Sequence, residues 1–454
     1  MISRRDILSR LGLGSLAGAL ATVSRSARAQ DDGGGQHTHH APAPLSGTAE
    51  TPVAPPMADA SRGWTPVRTL NGWTLPFRMN DGVKEFHLVA EEVEHEFAPG
   101  SRARCWGYNG STPGPTIEAV EGDRVRIFVT NCLPEHTTVH WHGLYLPSGM
   151  DGVGGLSQPH IQPGETYCYE FTLRQHGTHM YHPHADEMVQ LAVGMMGLFI
   201  IHPREGEPRR IDRDYAFLLH NWALHPGTWR PDPSIMTEFD LWTFNSKVFP
   251  AIEPLVAATG ERVRIRIGNL SMHEHPIHLH GVQFDVTGGD GGRLPESRWR
   301  REVTELIGVG QMRDIEFDAV AGDWALHCHK SHHTMNAMGH GVTNMLGVDQ
   351  RGVEQEIRAM LPGYMAMGEA GMADHQDHTA SGHMPGPENT LPMMMGKGPF
   401  GNLEMGGMFT LLKVRDGLAP GDFRDPGPYA HPEGSVARRV SRDPAFGAPV
   451  RRPG

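Results

Sequence analysis

Gly122-Asp-Arg-Val-Arg-Ile127 opens the stretch that decides the fold. It runs on as Arg124-Val-Arg-Ile-Phe-Val-Thr130, a β-branched and aromatic composition that reads as a strand. The hexapeptide returns as Gly260-Glu-Arg-Val-Arg-Ile265, Asn131 returns as Asn269, and His140-Trp-His142-Gly143 returns as His278-Leu-His280-Gly281, each pair 138 residues apart. Further on, Gly177 to His184 matches Gly322 to His329 at an offset of 145, aligning His182-Pro183-His184 with His327-Cys328-His329. A register kept through such different sequence marks a duplicated domain. From about residue 83 to 203, and again from about 215 to 348, short strand-like runs alternate with Gly, Pro and Asn turns. That pattern predicts all-β sandwiches. The one helical pattern is a short one around Val353 to Met360.

Residues i and i+2 of a strand share a face, so each His-x-His spacing sets two imidazoles side by side. Four such pairs at matching points of a duplicated sandwich make eight imidazoles, more than a single metal ion uses. The spacing therefore points to a cluster of several metals. The fourth motif carries a second, different site: Cys328 between His327 and His329, His333 four residues beyond, Met338 after that, and His275 ahead of the preceding motif. Two imidazoles, a thiolate and a distant thioether form the ligand set of a blue-copper centre. Cys328 points to the opposite strand face from its neighbours, so one peptide bond on either side links the two sites.

Composition agrees, with 29 His and 24 Met against 8 Tyr and 4 Cys. A net charge of -12 excludes nucleic acid as a partner, because phosphate binding needs a basic field. Ser3-Arg4-Arg5-Asp6-Ile7-Leu8, the apolar run from Leu11 to Val23 and Ala27-Arg28-Ala29 read as a twin-arginine export signal, with a periplasmic or secreted destination. That run is too short to span a bilayer, and no later stretch qualifies as a membrane span. Ten methionines between Met360 and Met408, with His375, His378 and His383 among them, form a low-complexity segment: either a plain flexible loop or a Cu(I)-capturing one. Phe409-Thr-Leu-Leu-Lys-Val414 reads as a last strand returning to the second sandwich, followed by a loose Pro- and Arg-rich tail. Cys105, Cys132 and Cys168 allow at most one disulfide, with the pairing open.

In these motifs and their order the chain resembles the multicopper oxidases of the laccase and copper-resistance type, over roughly residues 105 to 350. The resemblance implies an all-β fold of two tandem cupredoxin-like Greek-key β-sandwich domains. It implies four coppers per subunit. His275, Cys328 and His333, with Met338 axial, would hold the type 1 copper; His140 and His278 the type 2; and His142, His182, His184, His280, His327 and His329 the paired type 3. It also implies one-electron oxidation of a small reductant at the edge of His333, with reduction of O2 to water at the cluster. Asp151 stands where the family has a proton-relaying acid, whereas His332 occupies the place of a second one.

Laccases commonly have three such domains; here only about 90 residues separate His184 from His275. Pro183 and Met188 stand in the first domain where Cys328 and His333 stand in the second, so the first lacks a type 1 site. The likeness is to the two-domain subclass, which implies a homotrimer with its trinuclear sites between chains. The expected boundaries are a signal peptide at 1–29, a flexible segment at 30–68, domains at 69–208 and 209–350, the Met/His segment at 351–408, and a closing strand and tail at 409–454. Cu(I) is the favoured reductant, ahead of phenols, Mn(II) and Fe(II). A non-catalytic copper-sequestering protein and a copper nitrite reductase are the alternatives.

Overall fold

A computed structural model describes residues 63–336 apart from 226, 238 and 291, residues 359 and 389, and residues 396–439 apart from 404. In the strand Arg124–Asn131 burial alternates, so that Val125, Ile127 and Val129 enter a core while Arg124 and Arg126 face out. This strand lies parallel to Val83–Ala98 and antiparallel to Thr166–Thr172. A second sheet, ordered Ile117–Val120, Gly197–His202, Gly177–His182 and His140–His142, closes the sandwich over Trp141, Tyr181 and Phe199.

The second sandwich repeats the plan. Arg262–Asn269 runs parallel to Arg213–Trp222 and antiparallel to Met312–Asp318, with Val263, Ile265 and Ile267 in the core. Facing it is a sheet ordered Leu255–Ala258, Phe409–Arg415, Gly322–Cys328, His275–Leu279 and Thr304–Ile307. Parallel neighbours joined through the opposite sheet are the mark of a Greek-key cupredoxin-like sandwich, so the all-β, two-sandwich expectation holds.

The two copies differ in what covers their outer face. Arg126 is partly exposed and pairs with Glu85 and Glu170, whereas the equivalent Arg264, and Arg266 two residues on at the place of Phe128, are buried where the first sandwich packs against this sheet. Both clasp Asp214, and Arg266 also donates to Thr178 of the strand Gly177–His182 at 3.0 Å. Burial opposes ionisation of Asp214, yet the two guanidiniums win and hold its carboxyl down at about 2. Met180, Leu198, Ile200, Leu218 and Met312 add an apolar layer between the sandwiches.

Several local expectations need correction. Val67 and Arg68, assigned to the flexible segment, belong to a strand paired in parallel with Arg213–Trp222, and the Val67 amide donates to Glu118 Oε1 at 3.0 Å. Part of the expected loose tail is held to the body: Asp422 accepts from Arg213 at 2.7 Å, and the Tyr429 amide donates to Asp323 at 2.9 Å. Met408 is fully buried in the second core and is no candidate Cu(I) ligand. The expectation of at most one disulfide is met with none: Cys105 is buried as a free thiol, and Cys132 and Cys168 are exposed ones. The pattern around 353–360 and the rest of the methionine segment to residue 395 lie outside the described residues, apart from 359 and 389. Among the described residues, no helix is long and apolar enough to cross a membrane.

Candidate metal centre

The repeated asparagine positions both halves of the site. Asn131 donates to the carbonyls of Glu135 and Ile161 and accepts from Leu133; Asn269 donates to those of His273 and Ile307 and accepts from Ser271. Each side chain therefore ties down the loop that leads into a His-x-His strand. The glycine after each motif, Gly143 or Gly281, adopts a left-handed φ of 82° or 80°. At Gly281 a Cβ would also strike Trp324, so the repeated glycine is explained by conformation and space.

His140 lies directly opposite His182 across neighbouring antiparallel strands, and His278 opposite His327. Ladder register thus brings together motifs 40 or more residues apart. In the first half His142 Nδ1 approaches His182 Nε2 to 3.2 Å, and the His184 ring packs against that of His140. In the second half His280 Nε2 approaches His327 Nε2 to 3.1 Å, and His329 packs against His278 and His327.

Hydrogen bonds at the far nitrogens set the tautomers. Nδ1 donates to the carbonyl of Asp151 from His140 (2.8 Å), of Pro183 from His182 (2.9 Å), of Val303 from His278 (2.6 Å) and of Cys328 from His327 (2.9 Å). Each of these rings is left with Nε2 as a bare lone pair, the form a metal requires. Burial pushes His182 down to about 3 and also lowers His142, His280 and His327, so they remain neutral donors. The Asp151 carboxylate itself stands 3.5 Å from His140 Nδ1. Among the described residues, every ring contact within this set of eight joins members of the same half. His280 and His329 are exposed.

The second kind of site is complete in its three near ligands. His275 Nδ1 and His333 Nδ1 lie 3.7 and 3.6 Å from Cys328 Sγ and 3.1 Å from each other, all three residues fully buried. His275 comes from a strand and His333 from the short helix Ser331–Thr334, while the Cys328 amide is anchored on the carbonyl of Met408. Burial holds His275 near 3 and His333 near 2 and pushes the Cys328 thiol up to about 12. Two lone pairs and one buried sulfur converging on a point fit a copper ion, which would displace the thiol proton. Met338 lies outside the described residues.

Sequence reading missed the residues behind these ligands. Ser271 meets His275 Nε2 at 2.8 Å, Trp242 stacks on His333 with ring centres 4.7 Å apart, and His273 stacks on it at 5.3 Å. The nearness of His273 to the motif was the only available signal. His332 is exposed, its ring edge-on to that of His333 at 4.3 Å, on the type 1 side and not at the cluster. His333 itself, expected to meet the reductant by its edge, is fully buried, and Trp242, His273 and His332 crowd its ring.

Comparison with known proteins agrees with this geometry. The family description "Multicopper oxidase" matches residues 89–206 and again 228–346, together just over half of the chain. Over 150 residues the chain is 43% identical to copper resistance protein A of Escherichia coli, a stretch covering 33% of this chain and 24% of that protein. It thus spans about a quarter of the length of that relative. Over 271 residues it is 39% identical to the multicopper oxidase mco of Staphylococcus aureus, 55% of this chain and 58% of that one. A solved blue copper oxidase from Nitrosomonas europaea is similar with a TM-score of 0.53 at 25% identity, covering 73% of this chain and 85% of that one. Two matched domains, paired His-x-His strands and a buried His2Cys site lead to one conclusion: the chain belongs to the multicopper oxidase family, whose metal is copper.

Proposed function

We propose that the protein is an exported, two-domain multicopper oxidase that couples one-electron oxidation of a small reductant to four-electron reduction of O2 to water. The observation that carries this reading is the covalent junction at Cys328, whose buried sulfur faces His275 and His333 while its neighbours His327 and His329 join His278 and His280. Bound copper would supply one-electron redox chemistry at the first set and O2 binding at the second. In this reading His275, Cys328 and His333, with Met338 axial, hold type 1 copper. His140 and His278 hold type 2, and His142, His182, His184, His280, His327 and His329 hold type 3. Around the cluster the protein's own groups orient rings and exclude protons from the metal-facing nitrogens, and Asp151 is placed beside His140 to deliver a proton.

Separation of the eight histidines into two half-sites supports assembly between chains, the first half of one copy meeting the second half of the next in a homotrimer. Exposed apolar side chains on the neighbouring segments, Tyr145, Leu156 and Met188 on one and Val303, Leu306 and Val309 on the other, fit such a join. Cu(I) is the reductant we favour, on the similarity to copper resistance protein A and on the methionine segment, with phenols, Mn(II) and Fe(II) behind it. Export by the twin-arginine route to the periplasm is part of the same proposal and rests on the first thirty residues.

Copper-loaded wild type should absorb intensely in the visible and consume O2 with Cu(I), and Cys328→Ser should abolish both. A colourless wild type that binds copper without O2 uptake would instead identify a sequestering protein. Copper near two per subunit with nitrite turnover would identify a nitrite reductase.

A further inference from the structure

A reductant must approach the type 1 ligands from outside, yet His333 is fully buried. Besides its fellow ligand His275, three described rings pack on it, and they are not equivalent. Trp242 stacks at 4.7 Å and 17° but is itself only 3% exposed, so no solute reaches it. His332 is exposed but meets His333 at 72°, which gives poor overlap of the two π systems. His273 combines both properties: its ring lies within 4° of parallel to His333 at 5.3 Å, and it is partly open to solvent.

His273 is also held in place. Its carbonyl accepts from Asn269 Nδ2 at 2.8 Å and Ser271 Oγ at 2.7 Å. Its Nδ1 accepts from Trp242 Nε1 at 3.3 Å, which leaves the ring proton on Nε2. The backbone amide of Trp242 is in turn fixed by Asn336 Oδ1 at 3.0 Å. Phe239 sets its ring against His273 at 5.2 Å, and Met272 next to it in sequence is half exposed, so apolar side chains stand beside a partly exposed imidazole. The Glu274–Lys330 ion pair flanks it without adding net charge.

We propose that electrons reach the type 1 site across His273, with Trp242 as the positioning residue that keeps His273 in register with His333. The proposal rests on the oxidase reading above. For a phenol, one electron passes from the reductant over His273 to the oxidised type 1 copper, the phenol becomes a phenoxyl radical, and its hydroxyl proton leaves to water. His273 itself is neither oxidised nor reduced; its ring is the contact surface.

The test is anaerobic bleaching of the blue absorption of the copper-loaded full chain by 2,6-dimethoxyphenol, followed by stopped flow. His273→Ala should slow bleaching by about tenfold, ~1.4 kcal/mol on the barrier, with the position of the blue band and the type 1 potential unchanged. Trp242→Phe, which keeps a flat ring but loses the N–H donor, should slow it less, again without moving the potential. Unchanged or faster bleaching in His273→Ala overturns the proposal, because it would mean that His333 is reached directly. Slowing found only in His332→Ala overturns it in favour of that ring. If His273→Ala loses the blue band, His273→Gln decides by the same criteria. Failure of the oxidase reading itself would be seen earlier, as a wild type with no blue band.

Discussion

Ser271 Oγ stands 2.8 Å from His275 Nε2, on the side of the ring away from Cys328. Its hydroxyl is also within reach of Asn269 Oδ1 and the His273 carbonyl, so one hydroxyl ties a copper-facing imidazole to the loop before it. Partners of this kind behind metal ligands typically set affinity by about 10- to 100-fold. Ser271→Ala should weaken copper retention at the type 1 site by that order, measured by chelator competition against the blue absorption. Retention equal to wild type would mean that the strand alone orients His275.

Asp151 offers two groups to His140, a carbonyl that orients the ring and a carboxylate 3.5 Å away. Asp151→Asn keeps the first and removes the second. O2 uptake should fall by about 100-fold, the scale of general acid catalysis, while copper content and blue absorption remain. Loss of copper from this variant would make Asp151 a structural group.

The division of the histidines into two half-sites allows a complementation test. A His140→Ala, His142→Ala double variant and a His278→Ala, His280→Ala double variant should each be inactive. Co-expressed, they should recover activity, because an interface pairing the intact half of one with the intact half of the other arises in about one quarter of random neighbours in a cyclic assembly. Absence of recovery in mixed oligomers of confirmed composition would place the whole cluster within one chain.

Two buried histidines outside the metal sites make stability depend on pH. Burial is the main cause that lowers His95 and His220 to about 4 each, and both remain neutral in the fold although each has a backbone partner. An unfolded chain binds their protons below about 6.5, so stability is full above that pH and is lost as pH falls towards 4. Between pH 7.5 and 5 the loss should be on the order of 2 kcal/mol per group as an upper bound. Urea unfolding of copper-free wild type and His95→Gln at the two pH values checks this: the copper-facing histidines, also lowered by burial, contribute to both, so the flatter dependence expected of His95→Gln reads the His95 share alone.

The ligands were legible because the period of a strand and the 138-residue repeat need no tertiary information: His140 and His278, or Asn131 and Asn269, announce each other. What lies between the sandwiches was not legible. Arg126 and Arg264 stand at the same place in the hexapeptide, yet Arg264 is buried where it pairs with Asp214 and Glu207 while Arg126 stays partly exposed, a difference the hexapeptide itself does not carry. Met408 resembled its methionine neighbours in composition, and its role as a core residue follows from its place just before the strand Phe409–Arg415, which pairs with Gly322–Cys328. His273 sits two residues from His275 and was indistinguishable from a surface histidine until ring planes could be compared.

The layer formed by Asp214, Arg264, Arg266 and Thr178 holds no copper and touches no reductant. In the proposed assembly it would nevertheless fix the angle at which one chain presents its two half-sites to its neighbours. A ring closes only when that angle, repeated from copy to copy, sums to a full turn. In the proposed assembly the number of subunits would therefore depend on a buried ionic joint that lies apart from every metal ligand.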